Sequence, residues 1–206
     1  KKYDIIIITK KTEGNYLNDI NYEIIYIDYD IYNLGILGNL KLFLKIFKLY
    51  KNIRPFCCLH FTNKPNIIGG TVARILSINY INNIAWGGSD TLNIFIKNLL
   101  LFLHMVSSKK ANKVFFQNKD DFKLFKNKNI IDRNYDILPG SGIDLKAVSE
   151  YKINYQHNKD NFNTKFIMVS RLIKNKGIVE FLQASRLINN KYKNIQFFLL
   201  GDILEN

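Results

Sequence analysis

The residues best suited to chemistry lie in one short segment, Ser170 to Gly177. It follows an apolar run and precedes an amphipathic stretch, so we expect it to join the carboxyl end of a strand to a helix. Ligands of open α/β sheets bind at such connections, where the helix dipole and free N–H groups favour an anion. The guanidinium of Arg171 suits a phosphate, Lys176 adds a charge, and Gly177 allows close backbone approach. The segment indicates an anion site, with a surface loop as the alternative.

Composition narrows the classes of function. The chain has 206 residues, 47% of them hydrophobic, which is enough for a packed core. It carries 30 basic and 17 acidic residues, a net charge of +13, which indicates anionic partners such as nucleic acid, a membrane surface or phosphorylated substrates. The lysines are dispersed, however, and most of the excess charge is attributed to solvated surface. Two adjacent cysteines, Cys57 and Cys58, and three scattered histidines predict a reducing cytosol and no metal site.

Apolar runs alternate with amphipathic stretches along the chain, which predicts an α/β fold with a mostly parallel sheet covered by helices. The expected strands are 3–9, 22–28, 56–60, 79–85, 112–117, 135–138, 165–170 and 195–200. The expected helices are 40–50, 66–77, 92–109, 119–126 and 177–190.

We divide the chain into a first α/β domain, residues 1–150, a polar linker, residues 151–164, and the start of a second domain, residues 165–206. A single strand-helix-strand unit cannot bury its apolar faces, so we expect the natural protein to continue beyond Asn206. The opening residue, Lys1, also indicates a piece of a longer protein.

The helix expected at residues 40–50 carries Lys41, Lys45 and Lys48 on one stripe, opposite apolar side chains. Such a helix could lie on a bilayer, but it more often covers a sheet. The most apolar stretch, residues 92–106, contains too many polar side chains to span a membrane.

Several motifs, taken in order, resemble the family-4 glycosyltransferases of the GT-B fold. The Arg-Leu-x-x-x-Lys-Gly segment at 171–177 precedes a helix and a strand that ends in Gly201-Asp202. The segments 61–69, 111–118 and 140–144 are similar to the family's Thr-x-Lys-Pro-Asn-Ile-x-Gly, Lys-Val-x-Phe-x-Asn and Gly-Ser-Gly-Val-Asp motifs. The agreement extends from about residue 3 to residue 206.

The resemblance implies a Rossmann-like acceptor-side domain followed by the start of a donor-binding domain. It implies transfer of a sugar from a nucleotide diphosphate sugar, with a UDP-sugar expected, to a hydroxyl on a polyprenyl-diphosphate-linked glycan. Arg171, Lys176 and Gly177 would then hold the donor diphosphate. A retaining reaction is expected, without a metal and without a cofactor other than the nucleotide-sugar substrate. The expected location is the cytoplasm, with peripheral contact to an anionic inner membrane face.

On the acceptor side the expected residues follow the carboxyl ends of strands: His60, Lys64, Asn66, Trp86, Gly87 and Gly88. For His60 a buried structural role is equally consistent, and Trp86 is more typical of packing. Ala85-Trp86-Gly87-Gly88 departs from the Thr-Gly-Leu-Gly loop of similar enzymes, which leaves this loop's acceptor role open. Gly140, Ser141 and Gly142 are the expected hinge.

Two other classes of function remain at this point: a non-catalytic nucleic-acid-binding α/β protein, favoured by the charge of +13, and a membrane-associated structural module. The glycosyltransferase interpretation predicts a further strand and glycine loop upstream, and a Glu-x7-Glu pair downstream. It also predicts that residues 1–206 alone are inactive.

Overall fold

The computed structural model describes residues 3–11, 21–30, 35–86, 93–131, 134–140, 142–150, 164–192 and 194–201. It confirms the α/β class, because helices alternate with strands and the paired strands run parallel. The chain divides into two compact units, Lys1–Ile143 and Asp144–Asn206. The expected linker lies outside the described residues except for Thr164, so the predicted domain limits stay a prediction.

The first unit contains two parallel ladders. One pairs β1 (Ile6–Thr9) with β2 (Glu23–Tyr26), and the other has the order β3 (Cys57–Phe61), β4 (Asn79–Ile84), β5 (Lys113–Phe116), β6 (Tyr135–Ile137). Ile8 of β1 packs beside core residues that include Cys58 of β3. The two ladders therefore contribute to one hydrophobic core.

The second unit contains one ladder. β7 (Thr164–Val169) pairs in parallel with β8 (Ile195–Leu200), and the helix between them completes the expected strand-helix-strand unit. Phe166 and Phe197 stack across the ladder, and Phe181 of the helix meets Phe197 edge to face. These ring contacts hold the helix against the two strands.

The helices are α1 (Ile36–Ile53), α2 (Gly70–Ile75), α3 (Ile94–Ser108), α4 (Lys119–Asn127), α5 (Leu145–Glu150) and α6 (Ile178–Lys191). A π-helical turn, Pro65–Gly69, precedes α2, and a 3-10 turn, Lys174–Lys176, precedes α6. The continuous helix expected at 66–77 is thus split. α1 begins before the expected Leu40, and α5 was not predicted from the sequence.

The first unit has the better-developed core. Val72, Ile84, Phe116 and Phe125 are completely buried there. In β4 the burial alternates because one face of the strand packs on helices. Among the described residues, no helix combines the length and the apolar character needed to cross a bilayer.

Candidate functional site

The first candidate site is the connection between β7 and α6, which we call the donor loop (residues 170–177). Its backbone is tightly turned: the Ile173 N–H donates to the Arg171 carbonyl at 2.8 Å and the Lys176 N–H donates to the Ile173 carbonyl at 3.0 Å. Gly177 caps α6 with φ of +83°, a left-handed conformation that a glycine adopts without strain. The donor loop therefore ends directly at the start of a helix, as the sequence predicts.

The charged side chains of the donor loop point outward. Arg171, Lys174 and Lys176 are all exposed, so each is accessible to an anion. Glu180 lies in the first turn of α6, and a Cβ atom at Gly177 would be 3.9 Å from its Oε2 atom. A carboxylate at the start of a helix is stabilised by the helix dipole, and it competes with a phosphate for the same position.

The end of β8 closes the base of the donor loop. The Ser170 N–H donates to the Leu200 carbonyl at 3.0 Å, which brings the next residue, Gly201, against Ser170. A Cβ atom at Gly201 would lie 2.8 Å from the Ser170 carbonyl carbon, too close for any side chain. Gly201 belongs to the Gly201-Asp202 motif that follows the strand in the sequence, and Asp202 lies outside the described residues.

His60 lies near the carboxyl end of β3 but is only 3% exposed. Its Nδ1 is 2.8 Å from the Asn82 Oδ1, and its Nε2 is 3.0 Å from the Tyr50 hydroxyl. Because the Asn82 oxygen only accepts, Nδ1 carries the proton and Nε2 accepts from Tyr50. Burial lowers the His60 pKa to about 4, and the ring is neutral near pH 7. This geometry matches the structural alternative considered for His60.

The contacts of His60 belong to a larger buried polar network. The Asn82 Nδ2 donates to the Ser108 Oγ at 3.3 Å and to the Asn66 carbonyl at 3.5 Å. Asn66 is fully buried in the π-helical turn, and its Nδ2 donates to the Asn83 carbonyl at 2.7 Å. The network therefore connects α1, β3, β4 and α3 beneath the strand ends.

Two glycines make room for this network. A Cβ atom at Gly69 would lie 2.8 Å from the His60 Nε2, and one at Gly70 would lie 3.2 Å from the Asn82 Nδ2. Tyr50 and Asn82 were missed as members of the site because they lie 10 and 22 residues from His60 along the chain.

Lys64 follows β3 and reaches back across the first unit. Its ammonium group donates to the Asp30 carbonyl at 2.5 Å. Burial lowers the pKa of Lys64, an effect that the nearby Asp30 opposes. Lys64 thus contributes a partly desolvated positive charge at the edge where β2 and β3 end.

Trp86 is 4% exposed and packs edge to face against His104 and Phe125 at centroid distances of 5.4 and 5.5 Å. Its backbone N–H donates to the carboxylate of Asp121 at 2.8 Å. The structure places Trp86 in the core, in line with the packing role favoured by the sequence. Gly87 and Gly88 lie outside the described residues.

The expected hinge lies directly before the division of the chain into two units. Gly140 and Gly142 have φ of +83° and +69°, and no other atom lies within 4 Å of a Cβ placed on either residue. Ser141 lies outside the described residues. The hinge role of these residues stays a prediction.

The described ranges contain no group of three or more His, Cys, Asp or Glu side chains placed to hold an ion.

The family is established by comparison with known proteins. The family model described as "Glycosyl transferase 4-like" matches residues 1–118, more than half of the chain. The chain belongs to this glycosyl transferase 4-like family. Its motifs at 61–69 and 111–118 fall within the matched region.

Curated relatives of this glycosyl transferase 4-like chain include one from Campylobacter jejuni subsp. jejuni serotype O:2. It is the N,N'-diacetylbacillosaminyl-diphospho-undecaprenol alpha-1,3-N-acetylgalactosaminyltransferase, 25% identical over 221 residues. The match covers all of this chain and 58% of the relative. The chain therefore spans less than two thirds of that protein's length.

Solved structures share the fold of this family member. Anabaena Alr3699/HepE in complex with UDP and glucose matches with a TM-score of 0.60 and 14% identity, covering 97% of this chain and 61% of that one. The S. aureus MnaA-UDP co-structure matches with a TM-score of 0.55 and 13% identity, covering 98% and 62%. Both likenesses confirm the Rossmann-like α/β fold expected from the sequence.

Proposed function

We propose that the protein transfers a sugar from a nucleotide diphosphate sugar to a hydroxyl of a polyprenyl-diphosphate-linked glycan. The family match over residues 1–118 supports glycosyl transfer. The donor loop supports a nucleotide diphosphate donor, because it presents Arg171 and Lys176 at the start of α6, where a diphosphate is favoured.

On the donor side, Arg171 and Lys176 bind the diphosphate, and Gly177 allows its oxygens to approach the backbone. During transfer the bond between the anomeric carbon and the diphosphate oxygen breaks, and negative charge accumulates on the leaving group. A fixed positive field at this point stabilises the transition state more than the ground state. We assign a retaining, metal-independent reaction to this arrangement.

UDP is the proposed nucleotide of the donor. Two proteins of similar fold, Alr3699/HepE and MnaA, are described as complexes with UDP. The donor sugar is expected to be a hexose or a derivative of one.

The acceptor is proposed from the Campylobacter relative, whose name specifies a diphospho-undecaprenol saccharide. We place the acceptor at the carboxyl ends of β3 and β4, with Lys64, Gly87 and Gly88 as the contacting residues. His60, Asn66 and Trp86 are buried, so we assign them to positioning the turns that carry those contacts.

A lipid-linked acceptor places the enzyme at a membrane surface, and α1 has the properties of a contact helix. Ile36 and Leu37 are 84% and 76% exposed at its start, and Lys41, Lys45 and Lys48 follow on the same helix. Exposed apolar side chains beside lysines favour an anionic bilayer. We propose peripheral association with the inner face of the cytoplasmic membrane.

The two units have distinct proposed tasks. Residues 1–150 form the acceptor-side domain, residues 151–164 the linker, and residues 165–206 the start of the donor-binding domain. Gly140, Ser141 and Gly142 form the hinge, because left-handed glycines tolerate changes of φ and ψ that other residues resist.

The deciding experiment is a transfer assay with the full-length protein. Radiolabelled UDP-N-acetylgalactosamine and UDP-glucose are offered with polyprenyl-diphosphate-linked mono- and disaccharides, and label in the lipid phase is measured. Transfer that depends on both substrates supports the proposal. Steep, salt-sensitive binding of arbitrary oligonucleotides together with no transfer would favour the nucleic-acid-binding alternative.

A further inference from the structure

The helix α3 is apolar on two opposite faces. One face packs into the core of the first unit, where Leu101 and His104 are buried. The other face leaves Phe95, Leu99 and Phe102 exposed by 80%, 56% and 55%. A helix that is apolar all round is normally covered on all sides. The outer face of α3 therefore has the composition of a contact surface.

The exposed side chains form one continuous stripe, which we call the α3 seam (Phe95, Asn98, Leu99 and Phe102). Separations of three, four and seven residues place these side chains on the same side of a helix. The same separations line the contact between two paired helices. The Phe95 N–H donates to the Asn93 side chain at 3.0 Å, so α3 is capped directly before the seam. The α3 seam thus lies on a regular helix and can pack against another helix.

The distribution of charge favours a second copy of the chain as the occupant. The net charge is +13, so two copies repel each other wherever their lysines meet. The only charged residue of α3 is Lys97, four residues before the buried Leu101 and therefore on the side of the helix that faces the sheet. An anionic bilayer favours apolar side chains flanked by basic ones, as on α1, which carries four lysines. At the α3 seam, by contrast, two copies meet without bringing like charges together.

We infer that the protein forms a reversible dimer through the α3 seam, with the two α3 helices antiparallel about a twofold axis. The axis passes between Asn98 and Leu99, the midpoint of the seam, so Phe95 of one copy meets Phe102 of the other. Parallel helices would bring together the exposed lysines 109–110 that follow both helices, and would align the helix dipoles. The antiparallel arrangement separates these lysines. The Asn98 amide both donates and accepts, so the two copies of Asn98 can pair at the axis.

The size of the α3 seam sets the strength of the dimer. A buried aromatic side chain covers about 150–250 Å², so the exposed parts of Phe95 and Phe102 offer roughly 250 Å² per copy. With Ile94, Leu99 and the rim of the seam, the pair buries about 1,000 Å² over both copies, the lower limit of a specific interface. We therefore expect a dissociation constant on the order of 10–100 µM. This inference goes beyond the proposed function and does not depend on it.

Sedimentation velocity of the full-length protein between about 1 and 300 µM tests the dimer. We expect the sedimentation coefficient to rise with concentration from monomer to dimer. Phe95→Ser with Phe102→Ser should weaken dimerisation at least about tenfold, because both aromatic contacts are lost. Leu40→Ser with Leu44→Ser is the matched control, since these two leucines of α1 are exposed by 51% and 57%. The control should dimerise like the wild type.

Disulfide cross-linking tests the arrangement of the two helices without removing the aromatic contacts. Asn98→Cys should cross-link two copies under mild oxidation, because residue 98 lies beside the axis. Phe95→Cys should not, because antiparallel pairing separates its two copies by about 10 Å along the helices, beyond the reach of a disulfide. The wild type, in which Cys57 and Cys58 are free, gives the background. Equal cross-linking of Asn98→Cys and Phe95→Cys would contradict the antiparallel dimer.

Three results would overturn the inference and identify what the α3 seam does instead. A monomer at all concentrations, with a lower unfolding free energy in the double phenylalanine variant, would assign the seam to another segment of the same chain. A dimer that this variant and the α1 control weaken equally would place the contact elsewhere. Unchanged self-association with reduced sedimentation of the phenylalanine variant on phosphatidylglycerol vesicles would assign the seam to a bilayer.

Discussion

Gly201 and Ser170 approach so closely that no side chain fits between them. A Cβ atom at Gly201 would lie 2.8 Å from the Ser170 carbonyl carbon and closer still to its oxygen. The contact joins the end of β8 to the first residue of the donor loop. The position of Arg171 therefore depends on a glycine 30 residues further along the chain.

Gly201→Ala should destabilise the second unit by more than about 3 kcal/mol, since the obstructing atoms are backbone. The measurement is hydrogen exchange of the β7 and β8 amides in the full-length protein. Gly140→Ala is the control: its φ is +83° but the space around it is open, so only the left-handed backbone costs energy, about 1–2 kcal/mol. Equal protection of the β7 and β8 amides from exchange in Gly201→Ala and Gly140→Ala would contradict the predicted steric clash with the Ser170 carbonyl.

In the donor loop, Lys176→Ala should lower kcat by about 10²–10³-fold, because the variant removes the proposed electrostatic contact to the leaving diphosphate. Arg171→Lys should not restore wild-type turnover, because an ammonium group cannot replace a two-pronged guanidinium. Steady-state transfer by the full-length enzyme measures both, with circular dichroism as the folding check.

Lys174→Ala is the matched control, a lysine of the same loop that we assign to solvent. It should be nearly silent. Equal losses in Lys176→Ala and Lys174→Ala would assign the loop to the protein surface.

His104 is completely buried against Trp86 and Phe125, and neither ring nitrogen has a hydrogen-bond partner among the described residues. Burial lowers its pKa from 6.5 to about 4. As the pH falls, His104 takes up a proton near pH 6.5 in the unfolded chain but only near pH 4 in the folded chain. The contribution of His104 to the free energy of unfolding is therefore complete above pH 6.5 and is lost as the pH falls from 6.5 to about 4. Urea unfolding at pH 7.5 and pH 4.5 should show this loss.

His104→Leu should reduce that acid sensitivity, because it removes one titrating group and two unpaired polar atoms. At pH 7.5 the free energy of unfolding should stay unchanged or rise by up to about 2 kcal/mol. His60 retains its own share of the acid loss, since its pKa is also lowered to about 4. An unaltered difference between the two pH values in His104→Leu would contradict this assignment.

Gly69→Ala should disrupt the buried network, because its Cβ would press on the His60 ring at 2.8 Å and separate it from Tyr50 or Asn82. We expect a loss of about 1–3 kcal/mol in unfolding free energy. Gly70→Ala meets Asn82 at 3.2 Å and should cost less. Urea denaturation measures the loss of unfolding free energy in each variant. A larger loss in Gly70→Ala than in Gly69→Ala would contradict this prediction, because it would show that the His60 ring shifts more easily than the Asn82 amide.

Membrane association should depend on the start of α1. Ile36→Ser with Leu37→Ser should reduce sedimentation with phosphatidylglycerol vesicles by at least about tenfold, because two of the most exposed apolar side chains of the helix are lost. Val179→Ser on α6 is a control with an exposed apolar side chain elsewhere. Equal sedimentation of the wild type, the double α1 variant and Val179→Ser would show that α1 does not contact the membrane.

The apolar runs of the sequence predicted the eight strands that the structure describes, although β4 is buried on one face only and β7 is mostly exposed. The start of α1 was predicted too late, since Gly38 and Asn39 disfavour a helix and hid its first turn. The π-helical turn was also missed. Pro65 and Gly69 suggest an irregular backbone in the sequence. The sequence does not show that this backbone forms a π-helical turn, which packs against the side chains of His60 and Asn82.

For the candidate site, the adjacent strand, charges and glycine predicted the strand-to-helix connection of the donor loop. That this connection binds an anion stays a prediction. The sequence could not decide between an acceptor-side role and a buried structural role for His60. The answer depends on the contacts of His60 with Tyr50 and Asn82, which the folded sheet brings close to it.

The order of the four-stranded ladder has a consequence for synthesis. β3, β4, β5 and β6 are neighbours in the same order in which they leave the ribosome. Each new strand can therefore join an edge that already exists, without waiting for a later segment to be inserted between earlier ones. The buried network of His60 and Asn82 requires only α1, β3, the π-helical turn, β4 and α3, so its contacts do not depend on β5 or β6.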